Sequence, residues 1–223
     1  MTPIIKTEHL SCKMGHSYLL KDISWQVQAG ENWVVYGLNG SGKTTLLSIL
    51  AGYKGYSEGQ LQIFGQTYTN ENVLTLRKKI GWVSGSFFDK HYTKESVLDI
   101  ILSGKFGTLS LDYHISLQDV QFAKHLANEL GILDKINHSF DMLSKGQRQN
   151  VMIARALMSS PEILLLDEPC SGLDIYHRSH LFASIRQLSK YKNLTIIYVT
   201  HYTEEIIEIF DHALLLTNGR VFA

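Results

Sequence analysis

The sequence is poor in cysteine, has no excess of charge of either sign and contains no long apolar run. Cys12 and Cys170 form no CxxC pair, so we expect no disulfide framework and a reducing compartment. The 21 basic residues balance the 21 acidic ones, so composition gives no indication of a nucleic-acid-binding protein. No run of about eighteen apolar residues suggests a membrane span, and residues 1–9 lack the apolar core of a signal peptide. If the protein serves a membrane process, we expect another chain to supply the membrane part.

What the sequence does contain is the composition of a globular domain and an alternation of strand-like and helix-like stretches. Apolar residues make up 44% of the 223 residues and charged residues 19%, which argues against disorder. The alternation predicts an α/β fold with a largely parallel sheet. Apolar and polar residues alternate from Ile23 to Val27, as in a half-buried antiparallel strand. We predict further strands at 33–36, 60–64, 80–83, 163–166 and 195–199, and a hairpin turn at Asn218-Gly219.

The middle of the chain, from about residue 85 to 160, is predicted to be mostly helical. Thr93 is a candidate cap for a helix that runs through Leu102. Ser116 is a candidate cap for a second helix, which Gly131 ends. Pro161 closes the helical stretch. The simplest organisation is one core that is interrupted by a helical insertion.

A glycine-rich segment lies between the strand at 33–36 and a helix predicted from about Lys43 to Gly52. It matches the pattern G-x-x-x-x-G-K-[ST], in which successive backbone N–H groups and a helix N-terminus surround phosphate groups. Lys43 can reach the β- and γ-phosphates, and the Thr44 hydroxyl can hold Mg²⁺. We therefore predict that a nucleoside triphosphate binds Gly37, Leu38, Asn39, Gly40, Ser41, Gly42, Lys43, Thr44 and Thr45.

Two carboxylates, Asp167 and Glu168, follow the buried strand at 163–166. Asp167 is placed to face the phosphate loop and bind Mg²⁺, directly or through water. Glu168 is placed to orient or deprotonate an attacking water. Asp-Glu-Pro alone is an ordinary end of a strand, but a phosphate loop upstream on the same sheet makes that interpretation improbable.

Ser144 and Gln147 have the spacing of a capping box at the start of a helix. A capped helix N-terminus is also an anion site. The cap therefore predicts a well-formed helix and is compatible with phosphate binding.

These segments together resemble the ATP-binding-cassette (ABC) ATPases over essentially the whole chain. Residues 143–147 (Leu-Ser-Lys-Gly-Gln) are similar to the signature motif of that family, with Lys145 where glycine is commonest. Residues 167–169 resemble the Walker B end, residues 171–174 the D-loop, and Thr200-His201 the switch-histidine motif. The motifs occur in the order found in the family.

The resemblance implies one ABC ATPase domain over residues 1–223. Its P-loop NTPase core, of RecA type, would comprise about residues 1–84 and 161–223 and carry an antiparallel β-layer. An inserted helical subdomain would comprise about residues 85–160. The implied reaction is the hydrolysis of ATP to ADP and phosphate, with ATP and Mg²⁺ bound and Glu168, His201 and Lys43 catalytic.

The resemblance also implies two domains paired head to tail around two ATP molecules. Ser144 and Gly146 of one domain would contact the γ-phosphate that Lys43 of the other holds, and Gln147 would also belong to this nucleotide site. The chain has one set of motifs, so we expect a homodimer or a pair with a related subunit. We also expect a separate membrane permease subunit and a cytoplasmic location at the inner face of the cell membrane. A soluble ABC protein acting on nucleic acid or ribosomes stays open as the alternative, although the neutral charge argues mildly against it.

Two positions depart from the family pattern. The family stacks adenine on an aromatic residue near the N-terminus, but alignment puts Met14 at that position. The nearest aromatic residue is Tyr18, which either stacks on adenine in place of Met14 or packs on the sheet, and both interpretations stay open. Gly85 stands where the family has a glutamine that helps to ligate Mg²⁺, and a hydroxyl of Ser84 or Ser86 is a candidate replacement. The sequence around Gly85, with residues 106–108, is similar to a subgroup connected with molybdate transport and photorepair.

Overall fold

The computed structural model describes residues 2–84, 94–108, 114–191 and 193–222. The strands in these ranges are β1 (Ile5–Met14), β2 (Ser17–Val27), β3 (Asn32–Tyr36), β4 (Glu58–Ile63), β5 (Ile80–Ser84), β6 (Ile163–Asp167), β7 (Thr195–Thr200), β8 (His212–Thr217) and β9 (Arg220–Val221). The α-helices are α1 (Lys43–Leu50), α2 (Val73–Lys78), α3 (Val97–Ser103), α4 (Leu117–Glu129), α5 (Lys145–Leu157) and α6 (Ile175–Leu188).

A six-stranded sheet in the order β5-β6-β7-β3-β8-β9 forms the centre of the fold. Among the described strands of this sheet, β5, β6, β7, β3 and β8 pair in parallel with one another. Strand β9 runs antiparallel to β8, across the predicted turn at Asn218-Gly219. The apolar runs of β6 and β7 are buried on both faces, and each fully buried Leu or Ile contributes roughly 1.5–3 kcal/mol. Because parallel strands end at the same edge, the residues at the carboxyl ends of β3, β5, β6 and β7 lie along one edge of the sheet. The predicted α/β fold is confirmed.

A second, three-stranded antiparallel sheet has the order β2-β1-β4. The predicted alternation in β2 is confirmed, because Ile23, Trp25 and Val27 are buried. Strand β1 was not predicted. Its inward-facing side chains lie at odd-numbered positions up to Thr7 and at even-numbered positions from Leu10. The change occurs at an irregularity in the strand register, where His9 has a positive φ of 52°. This break hides the period of two that identifies a strand.

The helices begin where their caps are. Ser116 Oγ accepts a hydrogen bond from Asp119 N at 3.2 Å, and Asp119 Oδ2 accepts one from Ser116 N at 2.9 Å, so the predicted cap of α4 is confirmed. Gly131, with a φ of 67°, follows the end of α4 as expected. Helix α3 begins at Val97 with Ser96 as its cap; Thr93, the predicted cap, lies outside the described residues.

Helix α5 packs against α3, α4 and β5. Gly104 permits the close approach of α3 and α5, because a Cβ at this position would collide with the carbonyl of Arg155. No helix in the described ranges is long and apolar enough to cross a lipid bilayer.

Candidate active site

The phosphate loop connects the end of β3 to the start of α1. Gly40 and Gly42 have φ angles of 80° and 102°, in the left-handed region that favours glycine. A Cβ at Gly42 would lie 2.7 Å from the Leu20 side chain and 2.8 Å from the Leu19 carbonyl oxygen. The loop can therefore keep this path only with glycine at position 42.

Helix α1 begins without a side-chain cap and without an acidic residue in its first turn. Helices α3, α4, α5 and α6 begin instead with side chains that accept from an N–H of the first turn, namely Ser96, Ser116, Ser144 and Asp174. The first N–H groups of α1 are therefore available to an anion, and the helix dipole favours negative charge there.

Lys43 is buried at the base of this loop. Its Nζ donates to the carbonyl oxygens of Gly37 at 2.8 Å and Leu38 at 3.0 Å, and lies 3.3 Å from Glu168 Oε1. The buried Ser41 hydroxyl has no hydrogen-bond partner within the described ranges. An ammonium group, a spare hydroxyl and uncapped N–H groups are the donors that a triphosphate needs, so the residues fit this ligand.

Glu168 is held by its backbone as well as by its side chain. Its φ of 47° is unusual for a residue with a Cβ, and its N–H donates to Val199 O at 3.0 Å. Oε1 lies 3.2 Å from Nδ1 of His201 as well as 3.3 Å from Lys43 Nζ. Such strained positions cost about 1–3 kcal/mol and cluster at functional sites. The carboxylate is thus placed between the phosphate loop and the residue that follows β7.

Asp167 ends β6 with both carboxylate oxygens hydrogen-bonded. Thr44 Oγ1 donates to Oδ1 at 3.1 Å, and Ser84 Oγ donates to Oδ2 at 3.0 Å. Burial raises the pKa of Asp167 from its ordinary value of 3.8 to about 6, although the two hydroxyl donors oppose this rise.

Asp167 and Thr44 offer hard oxygen ligands side by side, which is the donor set that Mg²⁺ prefers. No group of three or more His, Cys, Asp or Glu side chains in the described residues forms a metal cage. Mg²⁺ at a phosphate site characteristically takes one or two carboxylates, with phosphate oxygens and water completing its shell. The residues therefore fit a magnesium ion that enters with a triphosphate.

Sequence reasoning missed Glu205, which supports the segment around His201. This carboxylate is 2% exposed, and its Oε2 accepts from Thr200 Oγ1 at 2.6 Å and from the Tyr198 hydroxyl at 3.0 Å. Thr200 Oγ1 accepts in turn from Tyr202 N at 3.0 Å. Tyr198 and Thr200 are two apart on β7 and share a face, which is the one signal that could have indicated a common polar partner.

The signature-like segment lies away from this cluster. Ser144 Oγ accepts from Gln147 N at 3.3 Å and Gln147 Oε1 accepts from Ser144 N at 3.0 Å, so the predicted capping box is confirmed. Ser144 is exposed, and Gly146 and Gln147 are half-buried. No described hydrogen bond joins these residues to the phosphate loop of the same chain. The structure does not bring them together with Lys43, and the helix start faces outward.

The two candidates for base stacking lie near the loop on β1 and β2. Met14 is 65% exposed, and the Tyr18 ring has the ammonium groups of Lys13 and Lys21 each 4.8 Å from its centroid. The carbonyl of Leu19, next to Tyr18, lies against Gly42. Gly85 and Ser86 lie outside the described residues.

A strand, a glycine loop and a helix, with a buried carboxylate at the end of a nearby parallel strand, define a P-loop nucleoside triphosphatase. The family model described as ABC transporter matches residues 20–171, and the chain belongs to this family. The ABC transporter ATP-binding protein YlmA of Bacillus subtilis (strain 168) is 41% identical over 98% of this chain and 84% of its own length. The predicted family and the predicted ATPase activity are confirmed: the chain is an ABC-type ATPase.

Two further matches bear on the finer predictions. The ABC transporter ATP-binding protein ModF of Escherichia coli (strain K12) is 34% identical over 88% of this chain and 41% of its own length. This match fits the weaker resemblance to the molybdate-type subgroup. The solved structure of cbiO1 from Clostridium perfringens, part of the ABC transporter complex cbiONQ, superposes with a TM-score of 0.81 at 26% identity. The superposition covers 100% of this chain and 88% of cbiO1.

Proposed function

We propose that this chain is the ATP-hydrolysing subunit of an ABC transporter and works as a head-to-tail dimer with two ATP molecules at the interface. The observation that carries the catalytic assignment is the meeting of Glu168 Oε1 with His201 Nδ1 at 3.2 Å and Lys43 Nζ at 3.3 Å. These three residues are far apart in sequence and meet beside the phosphate loop.

In the proposed reaction the loop residues 37–45 bind the triphosphate through backbone N–H groups, and Lys43 neutralises charge on the β- and γ-phosphates. Thr44 and Asp167 would hold Mg²⁺, which when bound supplies further charge neutralisation at the phosphate oxygens. Glu168 orients the attacking water and accepts its proton, and His201 contacts the γ-phosphate and holds Glu168 in place. Catalysis then consists mainly of positioning and electrostatic stabilisation.

The outward-facing start of α5 supports the proposed dimer. Ser144 is exposed and α5 packs against α3, α4 and β5, whereas α1 packs against β6 and β2. A capped helix N-terminus carries a partial positive charge that suits a phosphate group. We assign Ser144, Gly146 and Gln147 to the γ-phosphate held by a second copy of this chain, or by a related ABC subunit.

The membrane side of the proposal rests on the relatives. cbiO1 belongs to a transporter complex, and YlmA and ModF are named ATP-binding proteins of ABC transporters. We propose a separate membrane permease subunit and a location at the cytoplasmic face of the membrane. We also propose that the chain is divided into a core at about 1–84 and 161–223 and a helical subdomain at about 85–160. These relatives favour transport over a role on nucleic acid or ribosomes.

The Glu168→Gln variant tests the catalytic assignment. We expect ATPase turnover to fall at least about 100-fold, because the general base is lost, while affinity for a fluorescent ATP analogue is kept. Light scattering with Mg²⁺ and ATP should show more dimer than for the wild type. The matched control is Glu162→Gln, an exposed carboxylate that pairs with Lys79, and it should retain turnover. Wild-type turnover in Glu168→Gln would refute the catalytic assignment.

The transport role is tested separately, by co-purification of the chain with a membrane protein.

A further inference from the structure

Strands β5 and β6 pair in parallel with Ser84 opposite Asp167. Ser84 is 0% exposed, and its Oγ donates to Asp167 Oδ2 at 3.0 Å. Thr44 Oγ1 donates to the other oxygen, Oδ1, at 3.1 Å. One hydroxyl from a neighbouring strand and one from the phosphate loop thus determine the orientation of the carboxylate.

We propose that Ser84 is a positioning residue that holds the Asp167 carboxylate in the orientation that binds the magnesium ion of the nucleotide. The proposal rests on the proposed function, because it assigns Asp167 to Mg²⁺. In this role Ser84 acts through Asp167, to which it donates its hydroxyl proton.

The contact that the structure shows for the Ser84 hydroxyl is with the carboxylate. Its one proton is directed to Oδ2 of Asp167, which fixes the orientation of that oxygen. Thr44 lies in the first turn of α1, within the segment proposed to bind the nucleotide, whereas Ser84 ends strand β5 of the sheet, so the two hydrogen bonds to the carboxylate come from different elements. Gly85, which follows Ser84 in the sequence, has no side chain with which to bind Asp167 or Mg²⁺.

A purely structural role would predict something different. A buried serine that only satisfies its own hydroxyl affects the free energy of unfolding when it is replaced, but not the dependence of nucleotide binding on metal. Residues that orient a metal ligand change metal affinity by about 10–100-fold when they are removed. The dependence of binding on Mg²⁺ therefore separates the two roles.

The experiment is titration of a fluorescent ATP analogue in Mg²⁺ and in EDTA, with Mn²⁺ binding to the nucleotide complex followed by electron paramagnetic resonance. For Ser84→Ala we expect Mn²⁺ affinity and the Mg²⁺-dependent gain in nucleotide affinity to fall about 10-fold, with affinity in EDTA unchanged. Ser84→Thr keeps the hydroxyl and should retain the gain. Ser103→Ala removes a buried hydroxyl in α3 and should leave the gain unchanged.

Ser84→Cys serves if Ser84→Ala does not fold, because a thiol is close to a hydroxyl in size but a weak donor, and the same loss is expected. An unchanged Mg²⁺-dependent gain in a folded Ser84→Ala or Ser84→Cys protein overturns the role of Ser84 alone. Equal weakening in Mg²⁺ and EDTA also overturns it. A wild-type protein that binds no nucleotide in Mg²⁺ overturns the proposed function together with this inference.

Discussion

Oε1 of Glu168 lies 3.3 Å from Nζ of Lys43 and 3.2 Å from Nδ1 of His201, so a single oxygen atom joins the phosphate loop to the end of β7. Lys43 is 4% exposed, which strengthens its interaction with this carboxylate. A triphosphate that binds the loop competes with Glu168 for the ammonium group. We therefore expect nucleotide binding to release the Glu168 carboxylate, the proposed catalytic group, from Lys43.

Replacement of Lys43 by alanine should weaken nucleotide binding. A hydrogen bond to a charged group contributes about 1.5–3 kcal/mol, so we expect affinity for an ATP analogue to fall by about 10–100-fold. Fluorescence titration measures this change. Lys54→Ala, which removes an exposed lysine after α1, is the control and should bind as the wild type does. Equal affinities for the two variants would contradict the role assigned to Lys43.

The pKa of Asp167 predicts how stability depends on pH. Burial raises this pKa from 3.8 to about 6, so the folded protein binds the proton more tightly than the unfolded chain does. The resulting stabilisation is complete below pH 3.8 and is lost as the pH rises through about 6. Asp167→Asn cannot ionise, so its stability relative to the wild type should increase by about 1 kcal/mol between pH 5 and pH 8.

Thermal unfolding in EDTA without nucleotide measures this difference. Asp134→Asn removes an exposed carboxylate and should follow the wild type across the same range. A difference between Asp167→Asn and the wild type that is constant with pH would show that Asp167 titrates normally.

Glu205 should matter far more than its neighbour Glu204. Glu205→Ala removes the acceptor shared by Tyr198 and Thr200 and leaves two buried hydroxyls without it. We expect a loss of about 2 kcal/mol or more in urea unfolding. Turnover should fall more than nucleotide affinity does, because Thr200 precedes His201. Glu204→Ala, at an exposed position, should stay within about 0.5 kcal/mol of the wild type. Similar effects of the two variants would rule out the support we assign to Glu205.

The choice between Tyr18 and Met14 is open to a direct comparison. Leu19, next to Tyr18, contacts Gly42, and stacking of a base on an aromatic ring contributes about 1–3 kcal/mol. We expect Tyr18→Ala to weaken ATP binding about 10-fold and to reduce discrimination against GTP. Met14→Ala should leave ATP affinity and discrimination against GTP unchanged. If Met14→Ala weakens ATP binding and Tyr18→Ala does not, the base contact belongs to Met14.

Elements whose signals are local were predicted well. The cap at Ser116, the capping box at Ser144, the turn at Asn218-Gly219 and the loop before α1 each depend on residues within a few positions of one another. Strand β1 was missed because the irregularity at His9 moves its buried positions from odd to even numbers. The cap observed for α3 is Ser96, which accepts a hydrogen bond from Asp99 N, and the sequence analysis did not single it out because Thr93 and Ser96 are both acceptable cap residues.

The sequence by itself determined the family, the ATPase activity and the residues that make up each motif, because a phosphate loop and a helix cap are contiguous in the chain. Only the tertiary structure decided which motif residues touch. Thr44 and Asp167 are 123 positions apart and Ser84 and Asp167 are 83 apart, and they meet because β5, β6, β7 and β3 are neighbours in one parallel sheet. The order of the strands follows from how the whole core packs, which no short stretch of sequence encodes. The same packing buries Glu205 against Tyr198 and Thr200, next to His201. Its role there could not be deduced from its place in the sequence.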